Sequence, residues 1–237
     1  MLQDIPFKNL SEVAKLIDHT SLKPTDTPEK IIALTEEAKT WGFKAVCVNP
    51  SYVNLASQQL KGTDIEVATV VGFPLGATTT QAKVFETKNA IENGATEIDM
   101  VIAIGRLISN DYEYVLNDIA SVVEAAGDYP VKAIIETCYL TKDQIIKASE
   151  LAVEAGASFV KTSTGFGTSG ATVEDVKLIR KTIGNKAKIK ASGGIRTFEK
   201  LVQMVNAGAN RIGASSGVKI MQEAKEFFEG VEHERNP

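Results

Sequence analysis

The reading of the fold turns on Gly156-Ala157-Ser158-Phe159-Val160-Lys161-Thr162-Ser163-Thr164-Gly165 (GASFVKTSTG). Its first glycine closes a helical pattern in which Ile145, Ala148, Ala152 and Ala155 recur on one face. A short apolar run over residues 159–162 follows, and the chain then breaks into hydroxyls and glycine. Glycine suits the left-handed position just past a helix, so the order is helix, stop, strand, loop. Working outward, the same order recurs at Gly42, Gly94 and Gly208, each followed within a few residues by a strand-like run. The four glycines lie 52, 62 and 52 residues apart, one signal per two strand-helix units and eight units in all. The strands are expected near residues 16–19, 45–48, 66–71, 97–101, 131–136, 159–162, 188–191 and 211–214. Their nearly continuous hydrophobicity marks strands buried on both faces of a parallel sheet. Eight such units in 237 residues predict an α/β fold, a closed (β/α)8 TIM barrel. Residues 1–237 are read as a single domain with a short amphipathic N-terminal helix (Leu10, Val13, Ala14, Ile17) and a polar C-terminal tail. An open doubly wound sheet is the alternative architecture, and no linker-like composition shift marks a second domain.

Composition narrows the partner. A net charge of −4 and a pI near 5.4 leave no basic face for a nucleic-acid backbone and no polybasic segment for anionic lipid. No apolar run approaches the ~20 residues of a membrane span, and MLQDIPFKNL has neither a signal-peptide nor a transit-peptide pattern. A cytoplasmic protein with a small-molecule partner is expected. Cys47 and Cys138 lie in or beside strand-like runs and read as reduced thiols, not as a disulfide framework.

The chemistry should lie at the C-terminal ends of the barrel strands. Lys161 closes one apolar run, Lys190 closes the next, and Asp99 interrupts a third between Ile98 and Met100. Charges in such positions cost several kcal/mol unless partnered, so a buried structural ion pair is one explanation for an isolated aspartate-lysine couple. Two lysines against one acid favour a functional explanation. At ~6 Å and an effective dielectric of ~20, two ammonium groups repel by roughly 3 kcal/mol, about two pKa units. One amine could then be neutral near pH 7, and a neutral amine in a dry pocket attacks a carbonyl to form a Schiff base. That is aldolase chemistry, with the second lysine and the aspartate moving protons. Spacing alone does not say which lysine is the nucleophile. Glu136, at the end of the fifth strand, is a reserve acid.

Two late loops suggest how substrate is held. Ser192-Gly193-Gly194-Ile195 and Gly213-Ala214-Ser215-Ser216-Gly217 are rich in small residues, and the second opens the last helix. Either alone could be a tight turn, but together they read as the phosphate site common after strands seven and eight of a barrel. Gly165-Phe166-Gly167-Thr168-Ser169-Gly170 matches GxGxxG, yet the acid expected about twenty residues on is replaced by Lys186, Lys188 and Lys190. The loop is therefore read as a flexible flap or phosphate contact and not as a dinucleotide site. With His19 and His233 as the sole histidines, no spacing resembles a metal site; neither metal nor cofactor is expected. His19 and Cys47 read as packed residues.

These motifs resemble the deoxyribose-phosphate aldolase family. The likeness runs through LIDHTSLKP (16–24), VCVNP (46–50), VVGFPLG (70–76), EIDMV (97–101), FVKTSTGF (159–166), KASGGIRT (190–197) and GASSG (213–217). It implies a metal-free class I aldolase acting on a small phosphorylated sugar, with acetaldehyde as a product. By the same likeness Lys161 forms the Schiff base, Lys190 is the second lysine and Asp99 transfers protons. Phosphate would meet Gly165, Gly193, Gly194, Ser215 and Ser216, with Thr162 and Asp18 as further substrate-binding candidates, and a homo-oligomer is expected. Two features depart from some relatives: Phe166 stands where they carry a basic residue, and the tail VEHERNP lacks a tyrosine. A phosphosugar isomerase and a non-catalytic phosphometabolite-binding barrel are the alternatives.

Overall fold

The computed structural model describes residues 5–235. Eight parallel strands, β1 (Ile17–Ser21), β2 (Ala45–Val48), β3 (Glu66–Val71), β4 (Glu97–Val101), β5 (Val131–Ile134), β6 (Phe159–Lys161), β7 (Lys188–Ser192) and β8 (Arg211–Ala214), pair in chain order. The barrel closes where β8 meets β1, with Asp18 opposite Gly213. Around it run α1 (Leu10–Ala14), α2 (Pro28–Trp41), α3 (Val53–Gln59), α4 (Thr80–Glu92), α5 (Ile104–Ile108), α6 (Tyr112–Ala126), α7 (Lys142–Glu154), α8 (Val173–Ile183), α9 (Phe198–Asn206) and α10 (Gly217–Arg235). Threonine hydroxyls accept the first free backbone N–H groups of α2, α4, α7, α8 and α9, from Thr27, Thr79, Thr141, Thr172 and Thr197. Each such cap contributes about 1 kcal/mol and fixes where the loop ends.

The expected strands are present; β6 ends one residue early at Lys161, β7 runs one residue further to Ser192, and β1, β5 and the tail differ more. The Leu16 N–H closes the α1 turn on the Val13 carbonyl, so β1 starts at Ile17 and runs on to Ser21. β5 stops at Ile134, short of 136, because Glu136 turns the chain through a left-handed conformation (φ 53°). The stretch read as a polar tail continues α10 as far as Arg235, and residues 236–237 lie outside the described residues. The one long spacing in the glycine repeat is explained by α5, an extra short helix between β4 and α6.

Strand alternation divides the core in two. Val46, Val48, Val67, Val71, Ile98 and Met100 face outward against helix residues such as Ile31, Leu34, Ile119, Val122, Ile145, Ile179 and Leu201. A fully buried aliphatic side chain contributes about 1.5–3 kcal/mol, so this outer layer supplies the main driving force. The inner face is different. Cys47, Ala68 and Val70 form a small apolar cluster with Leu22. Asp18, Glu97, Asp99, Lys132, Lys161, Lys190 and Arg211 are the charged residues of the barrel strands that are buried, none more than 7% exposed.

Candidate active site

Strand register assembles the charged centre. Lys161 stands opposite Lys190, Lys190 opposite Arg211, and Asp99 opposite Lys132. Gly213 gives the lysine room, since a Cβ there would stand 3.0 Å from Lys190 Cε. Asp99 Oδ2 accepts hydrogen bonds from Lys161 Nζ and Lys190 Nζ, both at 2.7 Å, and its Oδ1 accepts from Lys132 Nζ at 2.7 Å. Lys132 also lies 2.6 Å from Glu97 Oε2. Glu97 is gripped by Arg211 through Nη2 at 2.9 Å and Nη1 at 3.2 Å. Arg211 Nη1 donates to Asp18 Oδ1 at 2.6 Å, and Asp18 Oδ2 lies 2.5 Å from Lys190 Nζ. Phe159 lies beside this network, with Lys132 Nζ and the Arg211 guanidinium 5.9 and 5.5 Å from its ring centre.

Burial and pairing set the protonation. Burial pushes the Lys161 amine below the ordinary lysine value; Asp99 opposes this and the Lys190 ammonium adds to it. Burial acts on Lys190 and Lys132 too, but Asp18 and Asp99 around the first, and Asp99 and Glu97 around the second, overcome it and hold both amines protonated. For Asp99, burial is again outweighed, here by Lys132, Lys161 and Lys190, and the carboxylate stays well below its usual range. Asp18 is lowered to about 2, since Lys190, Lys132 and Arg211 together exceed its desolvation. The geometry therefore singles out Lys161 as the amine ready to lose its proton.

Lys161 keeps 3% of its surface exposed. It lines a cavity of about 520 Å³ at the C-terminal end of the strands, together with Gly165, Phe166, Ser192, Gly193, Gly194 and Ser215. Lys23, Lys30 and Arg196 add positive charge to its walls. The loop after β6, expected as a flap or a phosphate contact, packs at its far end against the loop after β7. The Ala171 N–H bonds to the Ser192 and Gly193 carbonyls, and a Cβ on Gly170 would meet the Gly193 oxygen at 2.1 Å. Phe166 makes an edge-to-face contact with Phe73, ring centres 5.4 Å apart, and gives the rim an apolar edge.

The residues singled out from sequence divide into groups. Lys161, Gly165, Gly193, Gly194 and Ser215 line the cavity, whereas Ser216 does not. Lys190 and Asp99 lie behind Lys161, within hydrogen-bonding distance of each other. Two residues expected to contact substrate are engaged within the protein. Asp18 is wholly buried on Lys190 and Arg211, and Thr162 is buried with its hydroxyl donating to the Ser192 carbonyl and accepting from the Ser192 N–H. Glu136 stands apart from the lysines and accepts from the Thr164 N–H and hydroxyl, which ties down the loop after β6. His19 is a packed residue at the cavity wall, its Nε2 2.6 Å from Glu37 Oε2 and its ring 4.9 Å from Phe43; burial lowers its pKa and Glu37 opposes this. Burial raises Cys47, which is therefore a neutral thiol.

Lys132, Glu97 and Arg211 are absent from the reading of the sequence. Lys132, between Val131 and Ala133, carries the same signal that exposed Lys161, an ammonium inside an apolar run. Glu97 and Arg211 open their strands and so pass for solvent-facing ends. Among the described residues, no group of three or more His, Cys, Asp or Glu side chains is arranged to hold a metal ion, and no helix is long and apolar enough to cross a membrane.

Fold and site together define a (β/α)8-barrel enzyme with a buried lysine lining a pocket at the C-terminal ends of its strands. More particularly, the chain belongs to the DeoC/LacD aldolase family, whose profile matches residues 12–223. It is 60% identical over 220 residues to a deoxyribose-phosphate aldolase of Thermococcus kodakarensis, covering 91% of this chain and 98% of that one. A solved structure from Coccidioides immitis superposes with a TM-score of 0.91 at 45% identity, over 95% of this chain and 90% of its own. A deoxyribose phosphate aldolase from Aeropyrum pernix, described as having a tetrameric structure, gives 0.86 at 32% identity, over 92% and 93%.

Proposed function

We propose that the chain reversibly cleaves 2-deoxy-D-ribose 5-phosphate to D-glyceraldehyde 3-phosphate and acetaldehyde through a Schiff base on Lys161. The observation that carries this reading is the position of the Lys161 amine: held on Asp99, depressed by burial, and the one member of the charged centre that reaches the cavity. Neutral Lys161 attacks the aldehyde carbon of the open-chain sugar, and the carbinolamine loses water to give an iminium. A base takes the proton of the β-hydroxyl, the bond between the α and β carbons breaks toward the iminium, and glyceraldehyde 3-phosphate leaves an enamine behind. Protonation of the enamine carbon and hydrolysis of the imine release acetaldehyde and restore the amine. Asp99, between the two lysines, and Lys190 are the groups proposed to move these protons. The substrate phosphate is assigned to the backbone N–H groups at Gly165, Gly193, Gly194 and Ser215, with Arg196, Lys23 and Lys30 supplying charge. No cofactor enters this chemistry.

The reading extends to setting and assembly. A single barrel domain, a cytoplasmic location and a homo-oligomer agree with the acidic composition, the unpaired Cys47 and Cys138 and the tetrameric A. pernix relative. Borohydride trapping with acetaldehyde, followed by peptide mass spectrometry, tests the mechanism. A reduced two-carbon adduct on Lys161 is expected, and Lys161→Ala should lose both adduct and cleavage. Absence of an adduct at Lys161 under turnover conditions would overturn the proposal and favour an isomerase or a binding protein.

A further inference from the structure

The charged residues inside the barrel form a closed circuit. Asp99 meets Lys132, Lys132 meets Glu97, Glu97 meets Arg211, Arg211 meets Asp18, Asp18 meets Lys190, and Lys190 returns to Asp99, with contacts of 2.5–2.9 Å. Three acids and three cations alternate around the ring, which is neutral as it stands. Lys161 is attached to it at one point, Asp99 Oδ2. We propose that Glu97, Lys132 and Arg211 are positioning residues that close this neutral ring, so that Lys161 is left as the one buried amine without a counter-charge of its own. The inference rests on the Schiff-base reading of Lys161 and adds three residues to it.

The argument follows from counting charges on named partners. With the ring closed, a protonated Lys161 gives the barrel interior four cations against three acids, a net positive charge in a region shielded from water. Loss of one proton restores balance. Lys190 touches two carboxylates, and Lys132 touches two with a third, Asp18, at 3.9 Å, whereas Lys161 shares one oxygen of Asp99 with Lys190. The proton therefore leaves from Lys161. Cys47 from β2, held a neutral thiol by burial, also faces Lys161, and the cavity that Lys161 lines carries His19, Asp26, Lys23, Lys30 and Arg196. A ring maintained only for stability predicts that any break harms the protein in one direction. A ring that sets the charge on Lys161 predicts opposite effects from removing a cation and removing an acid.

The experiment measures the rate of acetaldehyde trapping on Lys161 as a function of pH, in the full-length protein and three variants. Lys132→Met leaves three acids and two cations in the ring, so Lys161 becomes the missing counter-charge. Its trapping midpoint should rise by about one pH unit or more, with roughly a tenfold slower reaction at pH 7. Glu97→Gln leaves two acids and three cations and should move the midpoint down. The double variant Lys132→Met/Glu97→Gln balances the ring again at two and two and should bring the midpoint back toward wild type. Singles that shift the midpoint in the same direction, or leave it in place, would overturn the inference while wild-type trapping left the Schiff-base reading intact. An absence of adduct in the wild type would instead defeat the Schiff-base reading itself. Should Lys132→Met fail to fold, the downward shift in Glu97→Gln and its reversal in the double variant still decide the matter.

Discussion

Replacing Asp99 by asparagine separates the proton-transfer and charge-holding parts of the site. The amide keeps the carboxylate's shape but turns one hydrogen-bond donor toward an ammonium, where wild type has three ammonium contacts at 2.7 Å. Breaking a buried pair by removing one partner costs about 3–5 kcal/mol. Lys132 retains Glu97 at 2.6 Å and Lys190 retains Asp18 at 2.5 Å, so Lys161 alone is stranded, and it can respond by losing its proton. The loss should therefore fall at the lower end, about 3 kcal/mol, a large part of a typical 5–15 kcal/mol stability. With a slope of about 3 kcal/mol per molar urea, the denaturation midpoint should drop by roughly 1 M. Cleavage of the phosphosugar, followed by the glyceraldehyde 3-phosphate released, should fall about 10²–10⁴-fold through the lost proton transfer. Trapping of acetaldehyde on Lys161 should persist, because the amine is freer than before. A variant that cleaves within tenfold of wild type, or that loses trapping along with cleavage while still folded, would refute this division of roles.

Two further predictions follow from single residues. Phe166→Lys places an ammonium at the cavity rim where wild type has an aromatic ring, and should lower KM for the phosphorylated substrate several-fold, with the gain shrinking at high salt; steady-state kinetics at two ionic strengths would show it. Asp18, lowered from 3.8 to about 2 in the folded state, contributes stability that is complete above its unfolded pKa and is lost as pH falls through the folded value, about 2 kcal/mol between pH 4 and pH 2. Asp18→Asn should be less stable at pH 7 yet lose less on acidification, as urea melts at pH 7 and pH 2.5 would reveal.

How far the sequence discloses this molecule depends on which face of a strand a residue occupies. The eight strands were legible because their outward residues, such as Val46, Val48, Ile98 and Met100, are aliphatic and their helices end at glycine. Lys161, Lys190 and Asp99 were legible as charges within apolar runs, and the small residues at 193–194 and 215, which line the cavity, as the close of two late loops. The partners of Asp18 were not legible, because Lys190 and Arg211 are 172 and 193 residues away in sequence. Glu97 and Arg211 meet across the barrel interior, and Lys132 finds Asp99 on the neighbouring strand, a pairing visible only once the strand register is known. The loop at 165–170 was read as a flap from its glycines, yet Gly170 is small for the opposite reason, a close backbone contact with Gly193.

A charged barrel interior is consistent with a stable fold only because the two jobs are divided between the faces of the same strands. The outer face carries the aliphatic burial that drives folding, so the inner face is free to hold charge provided every charge is matched. Matching seven ionisable groups exactly would leave no reactive amine, and leaving several unmatched would unfold the barrel. A neutral ring of six with one lysine attached satisfies both demands, because the unmatched charge is confined to the residue that can discard it as a proton. That residue also lines the cavity, so the proton has a way out and a carbonyl has a way in. The reactivity of Lys161 is on this view a property of the whole interior, and substitutions three or four contacts away, at Glu97 or Arg211, should alter it without touching the substrate.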